Sequence, residues 1–467
     1  MNKFLSFAVI AATMTACAPK QPVVYSNNGL GASSKISLKS NNTVTKPAHS
    51  LYEFSINMFD CIHKELDTNV VCSPLGTATL YRIIQDGASN ESDKEMGKVL
   101  GVSSEEISKI AKDLNDCEYI EDEDEDNYTK HFNSTRTRVK MGNILVANNN
   151  KSDLSILYKY KMQRRYDTDV WSMDFSDAKA VDKINNYVCQ NTSGQIGKIF
   201  ENLPPQASLV GVNTLCFKGR WHEDFEFYKH ETKKKKFNNA DGKHSVVDMM
   251  NRYYKELRYA HNDVFQVISL PYNARKNNAA TQRTFSMMVF LPMKDKSLND
   301  VMEYLHNHDL TDIYHSMKKE RVKVWLPRFS TDMCLDIRSI MRCLGLADPL
   351  ELPAISSEKM TLDESLQFTK ISVDEEGTVA AAVTELDYAE LGVLADRPKK
   401  KTVRIYNFYT DHPFIYMIKN NETNTIYFMG KFIEGRKAAG DEEIITNQKT
   451  EDMPLFYEVE IESEDDI

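Results

Sequence analysis

Between residues 50 and 66 apolar and polar positions alternate at helical spacing, and the run leads into Ser73-Pro74, a pair that ends one element and caps the next. The pattern predicts a first helix followed by the start of a strand. Further on, segments rich in Val, Ile, Phe and Met predict strands at 141–146, 208–217, 285–292, 321–326, 402–408 and 413–418. Strands and helices mixed without regular βαβ alternation imply an α+β fold. Six acidic residues in succession, from Glu121 to Asp126, repel one another and predict a disordered surface loop.

Composition narrows the class. A chain of 467 residues with 41% hydrophobic and 27% charged residues has ample apolar content for one large core, and a single domain is preferred over two or three. The net charge of -10 argues against a general nucleic-acid binder. The lysine runs at 233–236 and 399–401 read as solvated loops. His306-Asn307-His308 lacks a third partner at ligand spacing, so neither a metal nor another cofactor is expected. With no GxSxG, HExxH or glycine-rich phosphate loop, the chain is not read as an enzyme.

Met1-Asn2-Lys3 and the apolar stretch 4–14 form an export signal too brief to span a membrane. Met14-Thr15-Ala16-Cys17 resembles a bacterial lipobox, with Met where Leu is usual. That resemblance implies a signal peptide over 1–17, lipidation of Cys17 and a lipoprotein held at the outer membrane or cell surface. Ordinary cleavage into the periplasm or the medium is the alternative. Residues 18–48, dominated by Asn, Ser and Thr, read as a polar tether too poor in apolar residues to fold alone. Apart from Cys17 seven cysteines remain, without a CxxC pair, and most are expected to be buried thiols, Cys72 and Cys216 among them.

The most informative segment is Glu375-Glu376-Gly377-Thr378-Val379-Ala380-Ala381-Ala382-Val383-Thr384, a small-residue run entered through two acids and a glycine. It resembles the hinge of a serpin reactive-centre loop. Other landmarks of that family follow in order: Asn69-Val70-Val71-Cys72-Ser73-Pro74; Ile184-Asn185-Asn186-Tyr187-Val188 with Thr192-Ser193-Gly194-Gln195-Ile196; and Asn213-Thr214-Leu215-Cys216-Phe217-Lys218-Gly219-Arg220-Trp221. Leu326-Pro327-Arg328-Phe329-Ser330, His412-Pro413-Phe414 and Phe428-Met429-Gly430-Lys431 complete the series. The resemblance implies one domain over 49–437 with three β-sheets, about eight to nine helices and an exposed loop at about 375–402. The acidic stretch 438–467 falls outside the family pattern and is expected to be disordered or to serve as a docking tail.

Serpins act as suicide substrates: a protease cuts the loop, and the cut loop enters a central sheet as a new strand, dragging the acyl-enzyme with it. Such a strand of about fifteen residues at about 3.3 Å each would move its end by roughly 50 Å. Side chains of a strand alternate faces. Here Thr378, Ala380, Ala382, Thr384, Leu386 and Tyr388 form a face without charge, while Glu385 and Asp387 fall on the other. Family spacing from Glu375 places the cut between Leu391 and Gly392, a site suited to chymotrypsin-, elastase- or subtilisin-like serine endopeptidases, with papain-like cysteine endopeptidases as an alternative.

The resemblance further pairs Glu375 with Arg328 near Trp221, as a register pin worth little if exposed. It assigns Ser73 and Asn213 to a shutter, where the usual second serine is Gly76 and the usual histidine is Gln367. The stretch from Leu391 to His412 is about ten residues longer than is typical, and a cut at Lys399 to Lys401 is expected to be simple turnover. The expected partner is a target endopeptidase, with the membrane contacted through the N-terminal lipid, no nucleic acid, and a monomeric state. A non-inhibitory serpin that binds partners at the cell envelope is the alternative.

Overall fold

The computed structural model describes residues 35–39, 47–115, 137–378, 401–435 and 453–461, apart from positions 152, 167, 193, 195, 196, 198, 199, 273, 274, 277–281, 284, 357 and 359. Nine α-helices are found among them. The first, α1 (Leu51–Glu65), starts at Ser50, whose hydroxyl accepts the N–H of Glu53, and has His63 and Lys64 in its last turn, where they complement the helix dipole. Ser73 caps α2 (Pro74–Gln85), with proline in its first turn. Then come α3 (Asn90–Leu100), α4 (Ser104–Asn115), α5 (Ile156–Tyr166), α6 (Ala178–Asn191), α7 (Leu298–Asn307), α8 (Leu310–Ser316) and α9 (Ile337–Cys343). A reciprocal box of Ser297 and Asp300 opens α7.

In chain order the strands are β1 (Val70–Cys72), β2 (Arg138–Asn148), β3 (Asp169–Met173), β4 (Leu209–Arg220), β5 (Lys233–Asn238), β6 (His244–His261), β7 (Phe265–Pro271), β8 (Arg275–Lys276), β9 (Gln282–Arg283), β10 (Phe285–Pro292), β11 (Lys318–Pro327), β12 (Phe329–Asp336), β13 (Leu362–Val373), β14 (Gly377–Thr378), β15 (Lys401–Tyr409), β16 (Phe414–Asn420), β17 (Ile426–Phe432) and β18 (Phe456–Ile461). All six strands read from the sequence are present, and 285–292 matches β10 residue for residue. The described residues form three sheets. A six-stranded one runs β12-β13-β14-β4-β2-β3 with an additional β13–β4 pairing, a ten-stranded one runs β1-β17-β16-β10-β7-β6-β11-β15-β18 with β5 on β6, and β8 pairs β9. This is the expected α+β architecture.

Alternation explains why the six-stranded sheet is buried on both faces. Leu145, Ala147, Leu215 and Phe217 join the main core, while Ile144, Val146, Val210 and Val212 join a second cluster with Ile184 and Val188 of α6. Gln367, Asn213 and Thr378 are fully buried polar residues of this sheet.

One expectation is corrected, since the lysine run 233–236, read as a solvated loop, lies in β5 and pairs with β6, and three features go beyond the sequence reading. Residues 35–39 of the tether meet the body: Ile36 bridges Leu335 beside β12, the Ile36 N–H donates to the Cys334 carbonyl at 2.9 Å, and Leu38 is buried. Two apolar side chains suffice because β12 is an edge strand with unpaired backbone groups. The tail is not wholly outside the domain, since β18 pairs antiparallel with β15 from Lys401↔Ile461 to Tyr406↔Phe456. Finally, Cys61 on α1 and Cys343 on α9 are joined by a disulfide across 282 residues of sequence. Cys72, Cys216 and Cys334 are buried thiols, as expected of most cysteines.

Candidate functional site

The chain leaves β13 in a tight turn built by Asp374. Its carboxylate accepts the N–H groups of Glu376 at 3.0 Å and Gly377 at 3.1 Å, and its own N–H donates to the Gly377 carbonyl at 2.8 Å. Gly377 has φ 151°, and a Cβ there would overlap the carbonyl oxygen of Gly219, so the close approach requires glycine. The two residues of β14 then wedge between β13 and β4. Thr378 lies opposite Val373 and Gly219, and Gly377 lies opposite Arg220. Thr378 is completely buried, its hydroxyl 2.7 Å from that of Tyr272. Below this wedge β13 and β4 close on each other in parallel, from Lys370↔Cys216 down to Leu362↔Leu209. Parallel pairing is slightly weaker per residue than antiparallel pairing.

Glu375, Arg328 and Trp221 are brought together beside this turn. The Glu375 carboxylate is 2% exposed and takes two hydrogen bonds from Arg328, one of 3.2 Å from Nε and one from Nη2. Thr232 donates a third at 2.5 Å. The carboxylate is therefore buried and Arg328 partly buried, at 21% exposure, and losing one member of a buried pair costs about 3 to 5 kcal/mol. Burial pushes the Glu375 carboxyl up, but the bonds from Arg328 and Thr232 outweigh it and hold the group below the usual range. Trp221 stacks on Tyr272 with centroids 4.5 Å apart, donates from Nε1 to the Asp374 carbonyl at 3.0 Å, and from its backbone to the Glu376 carbonyl at 2.9 Å.

Asp374, Thr232, Lys229, Arg220 and Tyr272 escaped the sequence reading. Burial pushes the Asp374 carboxyl up to about 6, with the charges of Glu376 and Glu375 adding to the effect against two backbone hydrogen bonds. Glu376 is met by Lys229 at 2.5 Å and Arg220 at 3.6 Å. The spacing Asp374-x-x-Gly377 is an Asx-turn signal that was available in the sequence.

Ser73, Gly76, Asn213 and Gln367 also converge, under the middle of the β13–β4 seam. Gln367 and Asn213 are register partners, and Gln367 Nε2 donates to Asn213 Oδ1 at 2.9 Å across the seam. The same amide donates to the Ser73 carbonyl at 2.7 Å and the Thr77 hydroxyl at 3.0 Å, and its Oε1 accepts the Ser73 N–H at 2.7 Å. Ser73 Oγ accepts the Gly76 N–H at 3.0 Å. A Cβ at position 76 would overlap the Asn213 side chain, so glycine here makes room for the amide pair.

Val379, Ala380, Ala381, Ala382, Val383, Thr384, Leu391 and Gly392, like residues 1–34 with Cys17, the 121–126 acidic run and Lys399, lie outside the described residues.

A two-residue strand wedged into the top of a seam that is closed below it is the defining feature of this sheet. A family model described as serpin (serine protease inhibitor) matches residues 49–435, and the chain belongs to the serpin family. It is 26% identical over 407 residues to mouse neuroserpin, spanning 83% of this chain and 91% of the relative. It is also 26% identical over 393 residues to serpin B6 of Pongo abelii, spanning 81% and 96%. The crystal structure of the thermophilic serpin tengpin in the native state superposes with a TM-score of 0.66 at 24% identity, covering 86% of this chain and 97% of that one. Members of the family are typically protease inhibitors rather than catalytic enzymes.

Proposed function

We propose that this serpin traps a serine endopeptidase, with cysteine endopeptidases as a secondary class, by inserting its cut loop into the six-stranded sheet. The observation that carries this reading is the seated Thr378, because it fixes a register for everything that follows. Extending that register sets Ala380 between Phe217 and Ile371, Ala382 between Leu215 and Thr369, and Thr384 between Asn213 and Gln367. Leu386 falls between Gly211 and Ser365, and Tyr388 beside Leu209, where β4 begins. Small side chains meet large neighbours and the large Leu386 meets small ones. Thr384 arrives where the Gln367–Asn213 bond must break, bringing a hydroxyl that both donates and accepts.

The seam ends beside Ala389, which falls opposite Leu362, the first residue of β13. Glu390, the first carboxylate on the inward face, lies just beyond it, and Leu391 follows. Eleven further residues, 379–389, would enter, carrying the loop end about 36 Å, less than the fifteen residues and 50 Å read from sequence. Insertion exchanges one parallel ladder for two antiparallel ones, a gain of roughly ten backbone hydrogen bonds at about 1 kcal/mol each. Cleavage between Leu391 and Gly392 is the productive site in this reading, and Cys17 carries a lipid that holds the inhibitor at a bacterial envelope.

The test mixes the soluble chain, lacking residues 1–17, with chymotrypsin, an elastase, subtilisin, trypsin and papain. A denaturation-resistant adduct with a released peptide beginning at Gly392 is the expected result. Clean cleavage by every protease, with no adduct and no rise in melting temperature of the cut chain, overturns it.

A further inference from the structure

The strand that receives the end of the loop is held on its two sides by different partners. β11 pairs only with residues 406–409 of β15, from Val322↔Tyr406 to Trp325↔Tyr409. Among the described residues, 401–405, the part nearest the loop, pair with β18 alone. The tail adds side-chain contacts to the ladder. Arg404 Nη2 lies 3.1 Å from Glu458 Oε1, the Arg404 guanidinium sits over the Phe456 ring at 4.2 Å, and the Asn407 amide donates to the Pro454 carbonyl at 2.8 Å.

We propose that the C-terminal strand β18 is a clamp that keeps the uncut loop from inserting by pinning residues 401–405 into the sheet. This inference rests on the insertion reading above and extends it to the uncut chain. Full insertion of 379–389 carries Ala389 about 36 Å down the seam. The uncut chain must then return from Ala389 to β15. With Lys401 pinned, twelve residue steps are available, about 40 Å when fully extended. That is little more than the length of the insertion itself, before the turn at the bottom and the lateral step between two sheets are counted. Releasing residues 401–405 lengthens the connection by five steps, about 17 Å, and makes the return slack.

The clamp explains how a long loop and a stable native state coexist. The twenty-two residues between Thr378 and Lys401 become twenty-seven when β18 leaves, because Tyr406 is then the first residue held. Cutting the loop removes the return requirement altogether, so a protease triggers insertion with the clamp in place. The tail therefore acts on the uncut state and leaves the cut reaction untouched.

The experiment uses the whole soluble chain and two variants, Val459→Pro, which removes a backbone donor from the ladder, and Glu458→Lys, which opposes Arg404 with like charge. A third carries Val403→Cys with Val459→Cys, directly opposite each other, as an oxidised staple. Each uncut protein is held at moderate temperature while the melting temperature and the susceptibility of residues 379–400 to subtilisin are followed. Val459→Pro and Glu458→Lys are expected to pass to a high-melting form with a protected loop about tenfold or more faster than the wild-type chain. The staple is expected to slow that passage below wild type. Equal rates in all four proteins overturn the clamp, as does a failure of the two β18 variants to convert at all. Wild-type chain cut by subtilisin separates the two readings: if its melting temperature rises, insertion stands whatever the variants do, and if it does not, insertion falls and the clamp with it.

Discussion

The hydroxyls of Thr378 and Tyr272 meet at 2.7 Å inside the closed core, so the first inward-facing residue of the loop is already in place before any cut. Thr378→Arg would force a long cationic side chain into that closed site, at a cost of several kcal/mol. The variant should still be cut by a target protease but give no denaturation-resistant adduct on gels. Tyr272→Phe leaves the Thr378 hydroxyl without its partner, at about 1 to 3 kcal/mol. It should lower the melting temperature and keep the adduct.

The buried pair of Glu375 and Arg328 predicts unequal partners. Glu375→Gln keeps the side-chain shape and can still accept from Arg328 and Thr232, so it should cost less than Arg328→Met, which strands a carboxylate that is 2% exposed. A loss of about 3 kcal/mol or more is expected for Arg328→Met. In the double variant the loss should be smaller than the sum, measured by denaturant unfolding as a mutant cycle.

Asp374 and Glu375 set opposite pH dependences at one turn. Asp374, raised to about 6 from 3.8, binds more protons folded than unfolded, so its contribution weakens the native state as pH rises from about 4 to 6. Glu375, held below the usual range, stabilises above its unfolded pKa and loses this as pH falls through its folded one. The turn should be firmest at about pH 4, close to the unfolded pKa values of both groups. Asp374→Asn keeps an oxygen for the Glu376 and Gly377 N–H groups. It should raise the melting temperature at about pH 7.5, with little effect at about pH 4, flattening the profile between about pH 4 and 6.

Gly76 gives a prediction about the seam itself. Gly76→Ala drives a methyl into the Asn213 amide and should cost about 1 to 3 kcal/mol. In an Asn213→Ala background the obstruction is gone, and the same change should cost much less. Melting temperatures of the four proteins decide it.

Much of this site was legible because its signals are local. The period of two from Thr378 to Tyr388 separates charged from uncharged faces without reference to any partner, and the glycine at 377 marks a conformation other residues reject. The pairing of Glu375 with Arg328 and the place of Gln367 beside Ser73 and Asn213 follow from where the resemblance puts them. Asp374 was hidden because a capping carboxylate next to Glu375 and Glu376 reads as one more solvated acid. Long-range features left no local trace. Ile36 finds Leu335, Glu458 finds Arg404, and Cys61 finds Cys343 only after the intervening chain has folded. An acidic tail and a polar leader look the same whether or not a few of their residues have an edge strand to meet.

Because Cys61 and Cys343 both precede the loop, the disulfide leaves one large part of the protein without a covalent hold once the chain is cut. Any break between Thr378 and Lys401 produces a C-terminal piece carrying β15, β16, β17 and β18, with β16 paired to β10 and β17 to β1 at one end of the larger sheet. The nicked molecule is thus a two-chain complex held by strand pairing and apolar packing alone. Under denaturing but nonreducing conditions that piece should separate completely, so a single band of full-length size after protease treatment would mean that the loop had not been cut.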